Sequence, residues 1–141
     1  MLEKIDHIGI AVRDLEAAIA RYTALCNRGP AQLEEVAAQK VKVAMFEVGE
    51  SGVELLMATA PDSPIAKFID KRGEGIHHVC FKVANLEEAL ARMSAAGMEI
   101  ISSASGEGAG GSRVAFLHPK SLMGVMIELV EYARGWPFVD G

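Results

Sequence analysis

The chain contains two copies of one unit. Lys4–Tyr22, KIDHIGIAVRDLEAAIARY, overlays Gly75–Met93, GIHHVCFKVANLEEALARM, without a gap and at a constant offset of 71 residues. Internal repetition constrains a fold more tightly than any local propensity, because each copy must adopt the same supersecondary structure. In the first copy Ile8, Ile10 and Val12 alternate with His7 and Gly9, the period-two pattern of a half-buried strand. Asp14 and Asn85 are N-cap residue types. Each is followed by apolar residues at helical spacing, Leu15, Ala18, Ile19 and Tyr22 in one copy and Leu86, Ala89, Leu90 and Met93 in the other. Helices are therefore expected over 15–26 and 86–96.

Strand-like runs follow each helix, at 41–48 and 52–58 in the first half and at 112–117 and 124–132 in the second, with a weaker one near 98–102. The connections GES and HPKSLM are short enough for antiparallel hairpins. Between the halves, DSPIAKFIDKRG reads as a short helix capped by Ser63, with Pro64 at its first position and Gly73 past its end. The pattern is α+β: two paired β-α-β-β-β modules, about 4–60 and 75–132, forming a curved mixed sheet around a metal site with helices outside. At 141 residues the chain suits one domain.

The metal site follows from ionisable residues inside apolar strands. His7 and His78 occupy equivalent places in the repeat, and Glu54 in GVELLM and Glu128 in GVMIELV form a second matched pair, 74 residues apart. A lone strand histidine is usually structural and a lone strand glutamate usually solvated. Two matched pairs are harder to explain by packing. If the halves associate about a pseudo-twofold axis, His7, Glu54, His78 and Glu128 converge, and imidazole nitrogen with carboxylate oxygen suits divalent ions of the first transition row. His77 falls on the opposite face by alternation and is expected to be structural.

The formal net charge of −5 disfavours generic nucleic-acid binding, which needs a basic face. Cys26 and Cys80 are too sparse for a disulfide framework and show no C-x-x-C spacing, and the N-terminal MLEKIDHIGI matches neither a secretory signal nor a membrane span. A cytoplasmic, reduced setting without membrane association is expected. SGEGAGGS (105–112) is Gly-rich but lacks the placement of a phosphate loop, and RGWPFVDG reads as a tail.

These features resemble the vicinal oxygen chelate superfamily. Within it, IDHIGIAVRDLEAA, GVELL, DSPIAKFI, GEGIHHVCFKV and GGSRVAFLHPKSLMGVMIEL resemble the methylmalonyl-CoA epimerases nearly throughout the chain. The resemblance implies an isomerase, assembled as a homodimer, that epimerises methylmalonyl-CoA at C2 by proton abstraction through a metal-stabilised enolate. It implies one divalent ion, Co2+ first, with Mn2+, Ni2+, Zn2+ or Mg2+ as alternatives. Glu128 is then both ligand and acid-base group. Some epimerases carry a further glutamate in the strand corresponding to QKVKVAMF, two or three residues after Gln-Gly. This chain has Lys40 in place of the glycine and Lys42-Val43 where the acid would fall, leaving Glu47 as a weak substitute. Arg113, His118 and Lys120 are the candidate contacts for the phosphates of an acyl-CoA. A glyoxalase I-type lactoylglutathione lyase shares the metal scheme but usually has an Asp-Pro-Asp-Gly turn where this chain has HPKSLMG. A sequestering protein would not need four ligands, and an iron dioxygenase would leave open the corner that Glu54 fills.

Overall fold

The computed structural model describes residues 1–107 and 111–133. The eight strands are β1 (Leu2–Ala11), β2 (Gln32–Val36), β3 (Val41–Val48), β4 (Ser51–Ala58), β5 (Gly75–Val83), β6 (Ile100–Glu107), β7 (Arg113–Leu117) and β8 (Ile127–Glu131). The helices are α1 (Leu15–Cys26), α2 (Pro64–Arg72) and α3 (Leu86–Ala95), with short 3-10 turns at Ala37–Gln39 and Pro119–Leu122. The fold is α+β. Two compact units divide the chain, one of His7–His77 and one of Met1–Asp6 with His78–Gly141, so that β1 and β5 each contribute to both.

In the first unit the strand order is β2-β3-β4-β1, antiparallel except for the parallel pairing of β1 with β4. Parallel pairing needs a crossover. Here the crossover contains α1, which starts where the Asp14 side chain accepts a hydrogen bond from the Ala17 amide at 3.1 Å and ends at Asn27 in the left-handed region. Leu15 of α1 is buried with Val12, Ala44, Phe46 and Leu55, and Ala18, Ile19 and Tyr22 pack against that cluster. Each large apolar side chain so buried contributes roughly 1.5–3 kcal/mol. Ser63 caps α2 by accepting from the Ile65 amide, with Pro64 at the first turn and Gly73 beyond the end at φ 75°.

The second unit repeats the scheme with order β5-β8-β7-β6, β5 and β8 being parallel. Asn85 caps α3 by accepting from the Glu88 amide at 3.0 Å. Val83, Leu86, Ala89, Ala115 and Leu129 bury one face of the sheet against α3. Cys80, Val114, Phe116 and Val130 form a separate apolar layer on the other face.

Two strand bounds and one unannounced strand depart most from the expectation. β8 begins at Ile127 rather than 124, because a 3-10 turn at Pro119–Leu122 ends on Met123 in the left-handed region and the Gly124 amide bonds back to the Pro119 carbonyl. β6 runs to Glu107, so Gly106 and Glu107 of the Gly-rich segment pair with Val114 and Arg113 of β7 beyond a register shift. β2 is a strand that no apolar alternation announces. Residues 108–110 of that Gly-rich segment and the whole of the tail at 134–141 lie outside the described residues. Among the described residues no helix is long and apolar enough to cross a membrane.

Candidate metal centre

The parallel strand pairs set the geometry of the candidate ligands. In the first unit Gly9 is the register partner of Glu54, and His7 precedes Gly9 by two residues, so His7 and Glu54 share one face. In the second unit Cys80 is the partner of Glu128, and His78 precedes Cys80 by two. The same register step thus brings each histidine to its glutamate. His7 Nε2 lies 3.4 Å from Glu54 Oε1, and His78 Nε2 lies 2.9 Å from Glu128 Oε1. In both units this face lies away from the helix-packed core.

All four side chains are buried, His7 at 4%, Glu54 at 6%, His78 at 2% and Glu128 at 6% exposure. Carboxylates taken out of water are stable only when paired or bound to a cation. Each pair offers one imidazole nitrogen and one carboxylate oxygen facing each other. Either the nitrogen holds a proton for the carboxylate, or both atoms are donors to a cation. Nitrogen and oxygen donors of this kind fit a first-row divalent ion.

The surroundings hold the rings in place. Phe116, the cross-strand partner of Glu128, meets the His78 ring edge-on with centroids 5.7 Å apart. His77 takes the other face of β5, where its ring meets Phe68 of α2 at 4.9 Å. In the second unit a fully buried Asp6 accepts a hydrogen bond from the Tyr132 hydroxyl at 2.8 Å. Sequence reasoning missed this pair, since nothing local marks an interaction between residues so far apart in the chain.

The three candidate phosphate contacts do not cluster. Arg113 opens β7 and is engaged by Glu87 at 3.4 Å and Glu131 at 3.6 Å. His118 lies just beyond the strand's other end, five residues on and so about 17 Å away at ~3.3 Å per residue. Its Nδ1 accepts from the Lys120 amide at 3.0 Å, which caps the following 3-10 turn. That acceptor role assigns the ring proton of neutral His118 to Nε2. Glu47, on β3, is ion-paired with Arg28 at 3.6 Å.

Two four-stranded units of this topology, each with a histidine and a glutamate in the same register relation, define a paired-module chelate protein. The chain belongs to the Glyoxalase/Bleomycin resistance protein/Dioxygenase superfamily, whose profile matches residues 6–116, and within it to the methylmalonyl-CoA epimerases, a family of isomerases. It is 35% identical over 131 residues to the ethylmalonyl-CoA/methylmalonyl-CoA epimerase of Cereibacter sphaeroides, covering 92% of this chain and 98% of that one. A Streptomyces coelicolor methylmalonyl-CoA epimerase variant in complex with 2-nitronate-propionyl-CoA superposes with a TM-score of 0.90 at 37% identity, over 94% of this chain and 96% of the other. A methylmalonyl-CoA epimerase in complex with methylmalonyl-CoA and NH4+ gives the same TM-score of 0.90, identity of 37% and coverages of 94% and 96%.

Proposed function

We propose that the chain epimerises methylmalonyl-CoA at C2, with His7, Glu54, His78 and Glu128 holding one divalent ion and Glu128 acting as an acid-base group. The observation that carries this reading is the repeated register step that buries a histidine against a glutamate in each unit, in a chain whose relatives include epimerases of this substrate. A divalent ion, when bound, supplies Lewis-acid polarisation of the thioester and carboxylate oxygens and so lowers the energy of the negative charge that develops on deprotonation. Glu128 takes the C2 proton as a carboxylate, and the apolar layer of Cys80, Val114, Phe116 and Val130 on its face of the sheet limits competing water. His118 Nε2 and the Lys120 ammonium offer donors to the CoA phosphates. Arg113 offers a second cationic contact at the far end of β7, in competition with Glu87 and Glu131. We further read the enzyme as a cytoplasmic homodimer, in keeping with Cys26 and Cys80 forming no disulfide among the described residues; light scattering after size exclusion reports the assembly.

The test is an assay in deuterated water with metal-free and metal-reconstituted protein. Deuterium should enter C2 while the epimers interconvert, and chelation should suppress both together. Metal-loaded protein that leaves methylmalonyl-CoA untouched but isomerises the hemithioacetal of glutathione and methylglyoxal would replace this reading with the glyoxalase one.

A further inference from the structure

Inversion at C2 needs a second acid-base group; the epimerase resemblance implies one at Lys42-Val43, and of these Val43, which shares the face of Glu54, is buried and apolar and cannot transfer a proton. The sheet register shows what stands beside it. Glu54 pairs with Met45, and Leu56 pairs with Val43, across β4 and β3. Val43 in turn pairs with Glu34 across β3 and β2. Paired residues share a face, so Glu34 lies on the face of the sheet that carries His7 and Glu54. The burial of β2 agrees. Val36 on that face is buried, whereas Leu33 on the alternate face is 63% exposed.

Among the described residues this face of the first unit carries three carboxylates, Glu34, Glu47 and the candidate ligand Glu54. Glu47 sits at the hairpin end of β3 and is tied to Arg28, whose side chain is 57% exposed. Glu34 is half-buried beside Val43 and Val36, and the Gln32 side-chain amide donates to its Oε1 at 2.6 Å, which orients the carboxyl group. One strand, β3, lies between Glu34 and Glu54, so two inter-strand spacings, roughly 10 Å in the hydrogen-bonding direction, separate them. That span leaves room for a small acyl group between a ligand and a base.

We propose that Glu34 is the second acid-base group of the epimerisation, supplying from β2 the carboxyl that β3 lacks at Val43. The proposal rests on the epimerase reading above. In one direction Glu128 as carboxylate takes the C2 proton, and the C–H electron pair moves toward the thioester carbonyl oxygen. Glu34 as carboxylic acid then returns a proton to the other side of C2, and the electron pair forms the new C–H bond. The turnover ends with Glu128 protonated and Glu34 ionised, the starting state for the reverse conversion, and exchange with water resets both. In the reverse direction the roles exchange.

The test follows deuterium uptake from each purified epimer separately, in wild-type, Glu34→Gln, Glu34→Asp and Glu47→Gln proteins with metal content measured alongside. Glu34→Gln should keep full metal and still wash deuterium into one epimer with retained configuration. Its exchange from the other epimer, and interconversion, should fall by about 10²-fold or more. Glu34→Asp should recover part of the lost exchange, and Glu47→Gln should behave as wild type. Equal loss from both epimers in Glu34→Gln, no loss, or the asymmetric loss appearing in Glu47→Gln would each overturn the role of Glu34 alone. Wild-type protein that exchanges neither epimer would overturn the epimerase reading and this role with it.

Discussion

His78 and Glu128 stand in the same register relation as His7 and Glu54, each histidine two residues ahead of the residue paired with its glutamate. A parallel strand pair is what makes this repeatable, because its evenly spaced ladder carries a fixed offset from one strand to the next. Facing matters as much as spacing. His77, one residue from His78, belongs to the α2 side, where it meets Phe68.

His78→Ala should therefore abolish tight binding of a divalent ion while leaving the fold intact, and His77→Ala should retain the ion. The second variant loses an edge-to-face ring contact worth on the order of 1 kcal/mol of stability. Metal analysis after dialysis and thermal unfolding of both proteins check this. Equal metal loss in the two would show that the faces of β5 do not divide the roles.

Glu128→Gln separates ligation from proton transfer. The amide keeps a neutral oxygen for the ion but takes no proton, so metal should be partly retained and epimerisation should drop by about 10²-fold or more. A metal-loaded Glu128→Gln protein with near wild-type turnover would leave Glu128 a ligand only.

The repeat made the histidines and glutamates legible, because a matched position in two copies is visible without knowing any distance. Asp14, Asn85 and Ser63 were equally legible as caps, since capping depends on residues two or three apart. β2 was not. QLEEV has no apolar alternation of its own and becomes a strand by pairing with β3, a contact between residues distant in sequence. For the same reason Glu34 and its neighbour Val43 could not be associated before the register was known. The start of β8 was obscured because Gly124–Met126 are as apolar as the strand they precede, and only the turn ending on Met123 sets them apart.

Tyr132→Phe tests the buried pair in the second unit. The substitution removes the hydroxyl that donates to Asp6, a residue with no exposed surface, and a hydrogen bond to a buried charged group is worth about 1.5–3 kcal/mol. Denaturant unfolding should show a loss of that order with an unchanged m-value. A loss below about 0.5 kcal/mol would mean that Asp6 is held by its other interactions alone.

Lys40 tests the one place where the chain departs from Gln-Gly. Its backbone lies in the left-handed region at φ 55° and ψ 49°, where a residue with a side chain is disfavoured by roughly 1–2 kcal/mol. Against that strain stands the Lys40 ammonium on Asp62, whose hydrogen bond holds the Asp62 carboxyl below its ordinary range, outweighing an opposing desolvation effect that itself exceeds the direct charge attraction to Lys40. A lowered native pKa favours folding above the unfolded pKa and ceases to do so as pH falls through the native one. Because the pair is exposed to solvent, this contribution is small and salt-screened. Lys40→Gly relieves the strain but gives the unfolded chain more freedom. It should change stability at neutral pH by no more than about 1 kcal/mol, and an NMR titration should show the Asp62 carboxyl returning upward toward its ordinary value. A loss well above 1 kcal/mol would mean that Lys40 holds the β2–β3 connection through more than this pair.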